Sequence, residues 1–434
     1  MIAPPHDLEG RHLHAHNADD AEVLIAGAGP VGLTAALALA HAGVRVHVLE
    51  AASGITEDLR ASTFHPPTLD LLDAYGITPT LIAQGLVCPH WQVRLHPSGE
   101  HARFDLSVLA DVTAHPYRLQ CEQYKLSRAL LARLAGYPHA RVSFGAGVAA
   151  LTQDEDGVSV RVTMPETTLG GRAATDGDTQ HKAAWLIGAD GARSVVRKAI
   201  GINFEGETYP ETTILATTDF PFEDQLPGLS NVTYCWQAGA GNFSLLKAPG
   251  RWRVSIYPDE NLSIEDALKP DAIEAALQAI VPQPRPYPVF EVRPYRVHQR
   301  IASSYGVGRV WLAGDAAHVN SPAGGMGMNG GVHDALNLAG KLVRVLRGEP
   351  ASLLQLYERQ RRPVALDQIL KQADANRARM RERDPALRLA ALRKLQAIAD
   401  DPAAVRTHLL RTSMIEGLRQ AEATTATATA TPFP

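Results

Sequence analysis

Three short apolar runs occur along the chain, and each of them ends at glycine. They occupy residues 23–26, 185–187 and 310–313. A short uninterrupted apolar run bounded by glycine is typical of a strand buried in a parallel sheet. After the first run, an alanine- and leucine-rich stretch predicts a helix to about residue 42, and residues 44–49 predict the next strand. This order of elements predicts an α/β fold with a Rossmann-like parallel sheet.

The middle of the chain is built from residues that favour strands. Residues 208–257 are rich in Thr, Val, Tyr, Trp and Phe and are interrupted by Pro and Gly, while residues 87–104 alternate around a turn. This composition is typical of antiparallel strands, so we predict a mostly antiparallel sheet inserted into the first domain. Residues 352–418 are rich in Arg, Glu and Ala and predict a C-terminal helical segment.

The junction between the first strand and its helix contains a G-x-G-x-x-G motif. Its glycines are Gly27, Gly29 and Gly32, and Pro30 and Val31 lie between the last two. Gly27 allows a tight turn, and Gly29 allows a pyrophosphate to approach the backbone. Gly32 allows the helix to pack closely on the strand, while the helix N-terminus faces the anion.

Glu50 ends the second strand and completes this βαβ unit. A carboxylate at that position accepts hydrogen bonds from a ribose 2′-hydroxyl and disfavours a 2′-phosphate. We therefore expect an ADP moiety, from FAD or NAD rather than NADP. A tight turn without a ligand is the alternative interpretation, and the complete strand–helix–strand context with its terminal acid argues against it.

Two later junctions have the same character. Asp190 and Gly191 follow the run at 185–187, and Gly314 and Asp315 follow the run at 310–313. The carboxyl edge of a parallel sheet is where such loops meet a ligand. In order and content, the three motifs resemble those of the FAD-dependent aromatic hydroxylases, which are single-component flavoprotein monooxygenases of the p-hydroxybenzoate hydroxylase type.

This resemblance implies a site for FAD in a Rossmann-like domain of the glutathione reductase type. Asp315 is expected to accept hydrogen bonds from ribityl hydroxyls, and backbone N–H groups of residues 324–331 are expected to stabilise negative charge on the flavin. Gln123 and Arg60 match flavin-contacting residues of the family, although Arg60 could also be a plain surface charge. The expected cofactor-binding residues are Gly27, Gly29, Pro30, Val31, Gly32, Glu50, Arg60, Gln123, Asp190, Gly191, Arg193, Gly314, Asp315, Gly325, Met326, Gly327, Met328 and Asn329.

The resemblance also implies the domain boundaries and the reaction. The FAD-binding domain would comprise residues 21–86, 118–206 and 296–348, and the substrate-binding sheet domain residues 87–117 and 207–295. C-terminal helices would cover 349–420. Independently of the resemblance, the polar composition of 1–20 and the low-complexity Ala/Thr composition of the chain end predict a disordered leader at 1–20 and a disordered tail at 421–434. NADPH or NADH would bind transiently and reduce the flavin. O₂ would then form a flavin C4a-hydroperoxide that hydroxylates a small phenolic or heteroaromatic substrate.

A phenol reacts better as phenolate, so a base or proton relay would be useful. The candidates are His318 and Tyr234, with Tyr209 and Tyr257 as alternatives, and each of them could instead be a packing residue. Pro322 is expected near both substrate and isoalloxazine ring. The other candidate pocket residues lie on the inserted strands, where alternation directs about half of them away: Thr213, Thr217, Trp236, Phe243 and Leu245.

Bulk composition excludes several other classes of protein. The 434 residues are 45% hydrophobic and 20% charged, with a formal net charge of −4, so neither nucleic acid nor an anionic membrane is an expected partner. The three cysteines form no C-x-x-C pair, which disfavours a redox disulfide or a cysteine metal site. No apolar run approaches the roughly 18 residues of a membrane span. We expect a cytoplasmic enzyme without a structural metal; its oligomeric state is open, and the homodimer is the commonest assembly.

Two alternatives stay open on the sequence alone. The same FAD frame serves epoxidases, halogenases and isoprenoid reductases, although the halogenase W-x-W-x-I-P stretch does not occur here. The chain could also be a flavin-binding regulator that does not turn over, although retention of Asp190, Asp315 and the glycine loop argues against that.

Overall fold

The computed structural model describes residues 21–57, 61–163, 179–237, 241–258 and 262–425. The predicted leader at 1–20, Arg60 and the tail from residue 426 lie outside the described residues. Within them the fold is mixed α/β, with a parallel sheet, a larger mostly antiparallel sheet and a C-terminal run of helices, as predicted.

The described strands fall into four sheets. In chain order they are β1 (Val23–Ala26), β2 (Val46–Glu50), β3 (Thr63–Phe64), β4 (Leu86–Cys88), β5 (His90–His96), β6 (His101–Asp105), β7 (Arg118–Gln120), β8 (Ala140–Phe144), β9 (Gly147–Gln153), β10 (Val158–Thr163), β11 (Thr179–Ala183), β12 (Trp185–Gly188), β13 (Phe204–Thr218), β14 (Val232–Gln237), β15 (Phe243–Ala248), β16 (Arg251–Ile256), β17 (Val289–Ala302), β18 (Gly306–Val307), β19 (Val310–Leu312) and β20 (His318–Val319).

None of the described helices is long and apolar enough to cross a membrane. In chain order the helices are α1 (Pro30–His41), α2 (Pro66–Asp73), α3 (Thr78–Gln84), α4 (Gln123–Leu134), α5 (Val195–Ala199), α6 (Phe222–Gln225), α7 (Ile264–Ala267), α8 (Pro270–Ile280), α9 (Gly327–Leu346), α10 (Leu353–Val364), α11 (Lys371–Arg381), α12 (Pro385–Asp400), α13 (Pro402–Thr412) and α14 (Ile415–Ala423).

The parallel sheet brings the three glycine motifs together. Its strand order is β18-β19-β12-β1-β2-β8, and every neighbouring pair except β18 with β19 is parallel. The strands that precede the motifs, β19, β12 and β1, are direct neighbours. Because their carboxyl ends lie at one edge, loops that are more than a hundred residues apart in the chain meet there. Helix α1 covers this sheet and packs against α4 and α9.

The larger sheet has two faces with different environments. Its order is β20-β17-β13-β16-β15-β14-β5-β6, antiparallel except between β14 and β5. One face, which includes Ile214, Phe243 and Val254, packs against α8 in an apolar core. The other face carries the alternate residues of the same strands and faces the parallel-sheet domain and the C-terminal helices. Period-two alternation therefore decides which side chains can reach a site between the domains.

Three helix boundaries define the segments around the larger sheet and the chain end. Helix α9 begins at Gly327, so the stretch 324–331 already contains its first turn. Pro270 begins α8 and separates it from α7. The tail expected to be disordered from residue 421 is helical to Ala423, where Ala421 is buried.

Candidate active site

The turn after β1 is shaped by glycines. Gly27 has a φ of +101°, and a Cβ atom there would lie 2.4 Å from the carbonyl oxygen of Ala189. A Cβ atom at Gly32 would lie 1.9 Å from the carbonyl oxygen of Gly27, so glycine is needed for α1 to touch the turn. In contrast, a Cβ atom at Gly29 would meet nothing within 4 Å. The space at the N-terminus of α1 is therefore open.

Glu50 is fixed beside this turn by two backbone donors. The N–H group of Ala28 donates to Glu50 Oε2 at 2.6 Å, and that of Ala52 donates to Oε1 at 2.8 Å. The first turn of α1 contains no acidic residue. The helix N-terminus thus presents its positive end, while the neighbouring carboxylate offers a hydrogen-bond acceptor.

The carboxylate of the second motif accepts hydrogen bonds from its own loop. Ser194 Oγ donates to Asp190 Oδ1 at 2.5 Å, and the N–H group of Val195 donates to Oδ2 at 2.7 Å. Asp190 therefore caps the short helix α5, and its role is to position the loop. Gly191, with a φ of +79°, lines the central cavity, whereas Arg193 is exposed and lies outside that lining.

Arg197 links the second motif to the third, and the sequence analysis assigned it no role. Its Nη1 atom donates to the carbonyl oxygen of Ala316 at 2.8 Å, and Nη2 donates to that of Ala192 at 2.9 Å. The guanidinium carbon lies 3.7 Å from the ring centroid of Phe204. One buried cation thus ties both loops to β13.

The third motif packs against the first. Gly314 has a φ of +62°, and a Cβ atom there would lie 2.8 Å from Cγ2 of Val31. A Cβ atom at Gly331, on α9, would lie 2.5 Å from the same methyl group. These glycines enclose Val31, so α1, α9 and the end of β19 are in direct contact. Asp315 follows and is exposed toward the cavity.

The loop before α9 bends back toward the parallel sheet. Gly324 and Gly325 have φ values of +100° and +67°, and the N–H group of Gly325 donates to the carbonyl oxygen of Pro322 at 3.0 Å. Helix α9 begins at Gly327 with no acidic residue in its first turn. Backbone N–H groups at this helix start can therefore stabilise negative charge in the cavity.

Asn329 is a predicted cofactor contact whose side chain is buried and hydrogen-bonded within the protein. Its Nδ2 atom donates to the carbonyl oxygens of Thr63 at 2.8 Å and Gly325 at 2.7 Å, and its Oδ1 atom accepts from the N–H group of His65 at 2.9 Å. Since Asn329 is fully buried and outside the cavity lining, its side chain positions the loop.

The three motifs and the larger sheet enclose a central cavity of about 470 Å³. Many of the predicted residues line it together: Gly29, Pro30, Val31, Gln123, Gly191, Thr213, Tyr234, Asp315, Pro322, Gly325, Met326, Gly327 and Met328. A second cavity of about 650 Å³ adjoins it and shares Thr213, Tyr257, Arg296, Pro322 and Ala323. The two cavities together form a continuous space beside the sheet.

The residues that line the central cavity fit the chemistry of FAD. They include the open helix N-terminus at Gly29, suited to a diphosphate. They also include the Asp315 carboxylate, suited to ribityl hydroxyls, and the start of α9, suited to negative charge on a flavin ring.

His318, a predicted base, is corrected by the structure to a buried structural residue. Its Nε2 atom lies 2.7 Å from Asp334 Oδ2, and Arg361 Nε donates to Oδ1 of the same carboxylate at 2.7 Å. Burial alone would raise the pKa of Asp334, but Arg361 and His318 hold it below its ordinary value. None of the three is among the residues that line the central cavity.

Several predicted pocket residues are also corrected. On β15, Ser244 and Leu246 line the cavity, so Phe243 and Leu245 point into the α8 core. Trp236 is buried and its Nε1 atom donates to the carbonyl oxygen of Arg379 at 2.7 Å.

Thr217 is fully buried and lies outside the cavity lining. Of the alternative bases, Tyr209 donates to Asp374 Oδ1 at 3.1 Å beside the second cavity, whereas Tyr257 lines both cavities.

Arg253 was missed by the sequence analysis. It lies on the cavity face of β16, is 4% exposed, and donates through Nη1 to Ser62 Oγ. Its signal in the sequence was a cation inside an otherwise strand-forming segment, Trp-Arg-Val. A buried guanidinium at this position brings positive charge to the cavity wall.

Comparison with known proteins agrees with this geometry. The family model described as FAD binding domain matches residues 20–372. The para-nitrophenol 4-monooxygenase of Pseudomonas sp. is 35% identical over 409 residues, covering 92% of this chain and 97% of that protein. The 6-hydroxy-3-succinoylpyridine 3-monooxygenase of Pseudomonas putida is 36% identical over 357 residues, covering 82% and 87%. The crystal structure of p-nitrophenol 4-monooxygenase from Pseudomonas putida superposes with a TM-score of 0.82 at 33% identity, covering 92% of this chain and 98% of that one.

The fold, the three motifs and these matches define a class of flavoprotein. The chain belongs to the FAD-binding domain family, among the FAD-dependent aromatic hydroxylases. It is therefore a monooxygenase that uses bound FAD, NAD(P)H and O₂ to hydroxylate an aromatic substrate.

Proposed function

We propose that the substrate is a small phenol whose ring lies in the central cavity between the loop before α9 and the larger sheet. The observation that carries this proposal is the position of Tyr234, whose side chain lines the cavity opposite Pro322 and Ala323. A phenolic hydroxyl next to an aromatic ring can donate to or accept from the hydroxyl of a phenol. The relative at 35% identity is named for para-nitrophenol, which belongs to this chemical class.

Residues around the cavity would hold FAD in place. The N-terminus of α1 at Gly29 would bind the diphosphate, Glu50 the adenosine ribose and Asp315 the ribityl chain. The N–H groups at the start of α9 would face the flavin ring, together with Gln123. When bound, FAD supplies hydride acceptance from NAD(P)H and the activation of O₂.

The remaining cavity residues would orient and activate the substrate. Tyr234 would hold the ring hydroxyl, and Pro322 would press the ring against the sheet. Ser244 and Leu246, on the cavity face of β15, would form the wall that selects ring substituents. Arg253 would stabilise negative charge that develops on the reacting ring, because buried cations act strongly where water is excluded.

Steady-state turnover tests the proposed substrate class. The FAD-loaded protein is mixed with NADPH or NADH and a panel of 4-nitrophenol, other phenols, aromatic acids and hydroxypyridines. We expect phenols to stimulate NAD(P)H oxidation, with hydroxylated product formed in step. Stimulation by aromatic acids or hydroxypyridines instead, with phenols inert, would contradict the proposed class.

We also propose a cytoplasmic homodimer. Cys88, Cys121 and Cys235 are all free and buried, as suits a reducing compartment, and dimers are the commonest symmetric assembly. Light scattering of the FAD-loaded protein would show twice the 46.7 kDa mass of the chain for a dimer, whereas the monomer mass would contradict it.

A further inference from the structure

A small inner cavity lies behind Tyr234, on the side away from the α8 core. Its volume is about 20 Å³, and it shares Tyr234, Ala323, Gly324 and Met326 with the central cavity. A space of this size admits a single oxygen-sized group and no ring. A ligand in the central cavity could therefore project only one small substituent into it.

The inner cavity is lined by a buried arginine that forms no ion pair with a carboxylate of the described residues. Arg118 is 3% exposed, and its Nε and Nη1 atoms have no hydrogen-bond partner. Its guanidinium carbon lies 4.9 Å from the ring centroid of Trp91. Burial lowers its pKa, while the charge of Tyr234, a hydrogen bond with Tyr234 and the charge of Cys88 raise it. A buried guanidinium with unused donors is unfavourable unless an anion or acceptor completes them.

A second arginine strengthens the positive charge of this cavity. Arg379, on α11, also lines it, and its Nη1 atom donates to Asn376 Oδ1 at 3.3 Å. Burial lowers the pKa of Arg379, and Tyr234 is the neighbour that raises it. The two guanidinium groups in the lining can only donate hydrogen bonds, which favours an anionic oxygen over a neutral hydroxyl.

We propose that this inner cavity is an oxyanion subsite, in which Arg118 and Arg379, with Tyr234, bind the substrate's ring oxygen as phenolate. The inference rests on the proposed function, because it requires a phenol in the central cavity. On binding, the phenol O–H bond breaks, the electron pair stays on oxygen, and the proton leaves to solvent. Arg118 and Arg379 are in this account the groups that make the bound ring electron-rich before oxygen transfer.

Other titratable groups around the subsite stay uncharged across the working range of pH. Burial, followed by Arg379, Arg118 and Arg411, lowers the pKa of His408 to about 4. Burial raises the pKa of Cys88 to about 12. A titration between pH 5 and pH 10 should therefore report the ligand rather than His408 or Cys88.

Tyr257, which lines the central cavity nearby, has its pKa raised by burial and by Tyr234. Arg253, across the cavity, contributes a constant positive charge over the same range. Neither group therefore adds a proton transition of its own to a titration of the bound phenol.

The test uses 4-nitrophenol as probe, because its phenolate and phenol forms absorb visible light differently. Difference spectra of the FAD-loaded protein with bound 4-nitrophenol are recorded as a function of pH without NAD(P)H. We expect the bound phenol to ionise at least one pH unit below the free phenol, a tenfold larger acid dissociation constant. 1-Fluoro-4-nitrobenzene, whose fluorine is close to oxygen in size and which cannot ionise, serves as the neutral ligand of matched shape.

Variants separate charge from packing. Arg118→Met should lower the acid dissociation constant of bound 4-nitrophenol about tenfold, toward that of the free phenol. It should also weaken binding of 4-nitrophenol, but not of 1-fluoro-4-nitrobenzene, at pH 8. Arg118→Lys should keep the shift, and so should Arg406→Gln, which removes an exposed arginine paired with Asp111. If Arg118→Met does not fold, Arg379→Met removes the other positive charge of the inner cavity and is measured in the same way.

The outcomes distinguish this inference from the function on which it rests. A wild-type midpoint equal to that of free 4-nitrophenol, or the same midpoint in wild type and both charge-removing variants, would overturn the oxyanion subsite alone. Failure of the FAD-loaded wild type to bind any phenol would overturn the inference and the proposed substrate class together.

Discussion

The Nε2 atom of His318 lies 2.7 Å from Oδ2 of Asp334, and both side chains are no more than 1% exposed. The same carboxylate accepts from Arg361 and, at 3.3 Å, from the N–H group of Gly314. This buried network connects β20, α9 and α10 to the residue just before Asp315. These contacts therefore hold the third FAD motif in position.

Replacing Asp334 by Asn should destabilise the protein strongly. The change keeps the side chain's size but leaves the fully buried Arg361 without its counter-charge, which typically costs about 3–5 kcal/mol. Denaturant unfolding at pH 7 measures the loss. Asp367→Asn, which removes an exposed partner of Lys371, should cost less than about 1 kcal/mol. Equal effects of the two variants would contradict the structural role of the network.

The same network predicts a dependence of stability on pH. Because Arg361 and His318 outweigh burial, the pKa of Asp334 lies below its ordinary 3.8 in the folded protein. Its contribution to stability is therefore present above pH 3.8 and is lost as pH falls through the lower folded value. Unfolding of Asp334→Asn should depend less on pH in this acidic window than unfolding of wild type.

Gly29 and Gly32 offer a matched pair of substitutions. Gly29→Ala should fold normally, because the added Cβ meets no protein atom, but should bind FAD about tenfold or more weakly. Gly32→Ala should lower the free energy of unfolding of the apoprotein by about 1–3 kcal/mol, because its Cβ would clash with Gly27. FAD titration and apoprotein unfolding separate the two effects. Unchanged FAD affinity in Gly29→Ala would contradict the placement of the diphosphate.

Leu245 and Leu246 test which face of β15 meets the substrate. Leu245→Ala should cost about 2–5 kcal/mol of stability, since Leu245 is fully buried in the α8 core, with the preference among phenols unchanged. Leu246→Ala should be milder and should change the KM ratio between small and large phenols. Ratios of kcat/KM across a phenol series provide the measurement. A preference altered by Leu245→Ala alone would mean that the face assignment is wrong.

Arg253 should matter for chemistry more than for folding. Arg253→Met removes the cation on the cavity wall and should slow substrate hydroxylation about 100-fold. Single-turnover product formation measures this rate, while thermal unfolding checks the fold. Arg251→Met, at the start of the same strand and outside the cavity lining, is the control and should stay near the wild-type rate.

The sequence predicted the parts of the fold that depend on local backbone geometry. The three strand ends and their glycines could be identified because a tight turn beside a ligand restricts the residues at Gly27, Gly32 and Gly314. Which face of the inserted sheet meets the cavity could not be identified. Alternation predicts that Ser244 and Leu246 share one face of β15, but it does not say which face. That choice depends on the packing of α8, which covers the opposite face and buries Phe243.

Side-chain pairing across elements was equally beyond the sequence. His318 and Asp334 are 16 residues apart, and Arg361 lies 27 residues further on, so their contact depends on how α9 and α10 pack. For the same reason, Arg118 could not be connected with Tyr234 and Arg379 before the sheet and α11 were placed together. Glycines that shape a backbone turn were predictable from the local sequence, whereas contacts between side chains that are distant in the chain were not.

The most direct test of phenol hydroxylation by this protein follows the oxygen atom from O₂ into the product. The FAD-loaded protein is incubated with 4-nitrophenol, NAD(P)H and isotopically labelled O₂, and the aromatic product is analysed by mass spectrometry. We expect one labelled oxygen atom in each product molecule, with product matching the NAD(P)H consumed. Label absent from the product, or NAD(P)H consumed with hydrogen peroxide as the only oxygen product for every phenol tested, would contradict a phenol monooxygenase.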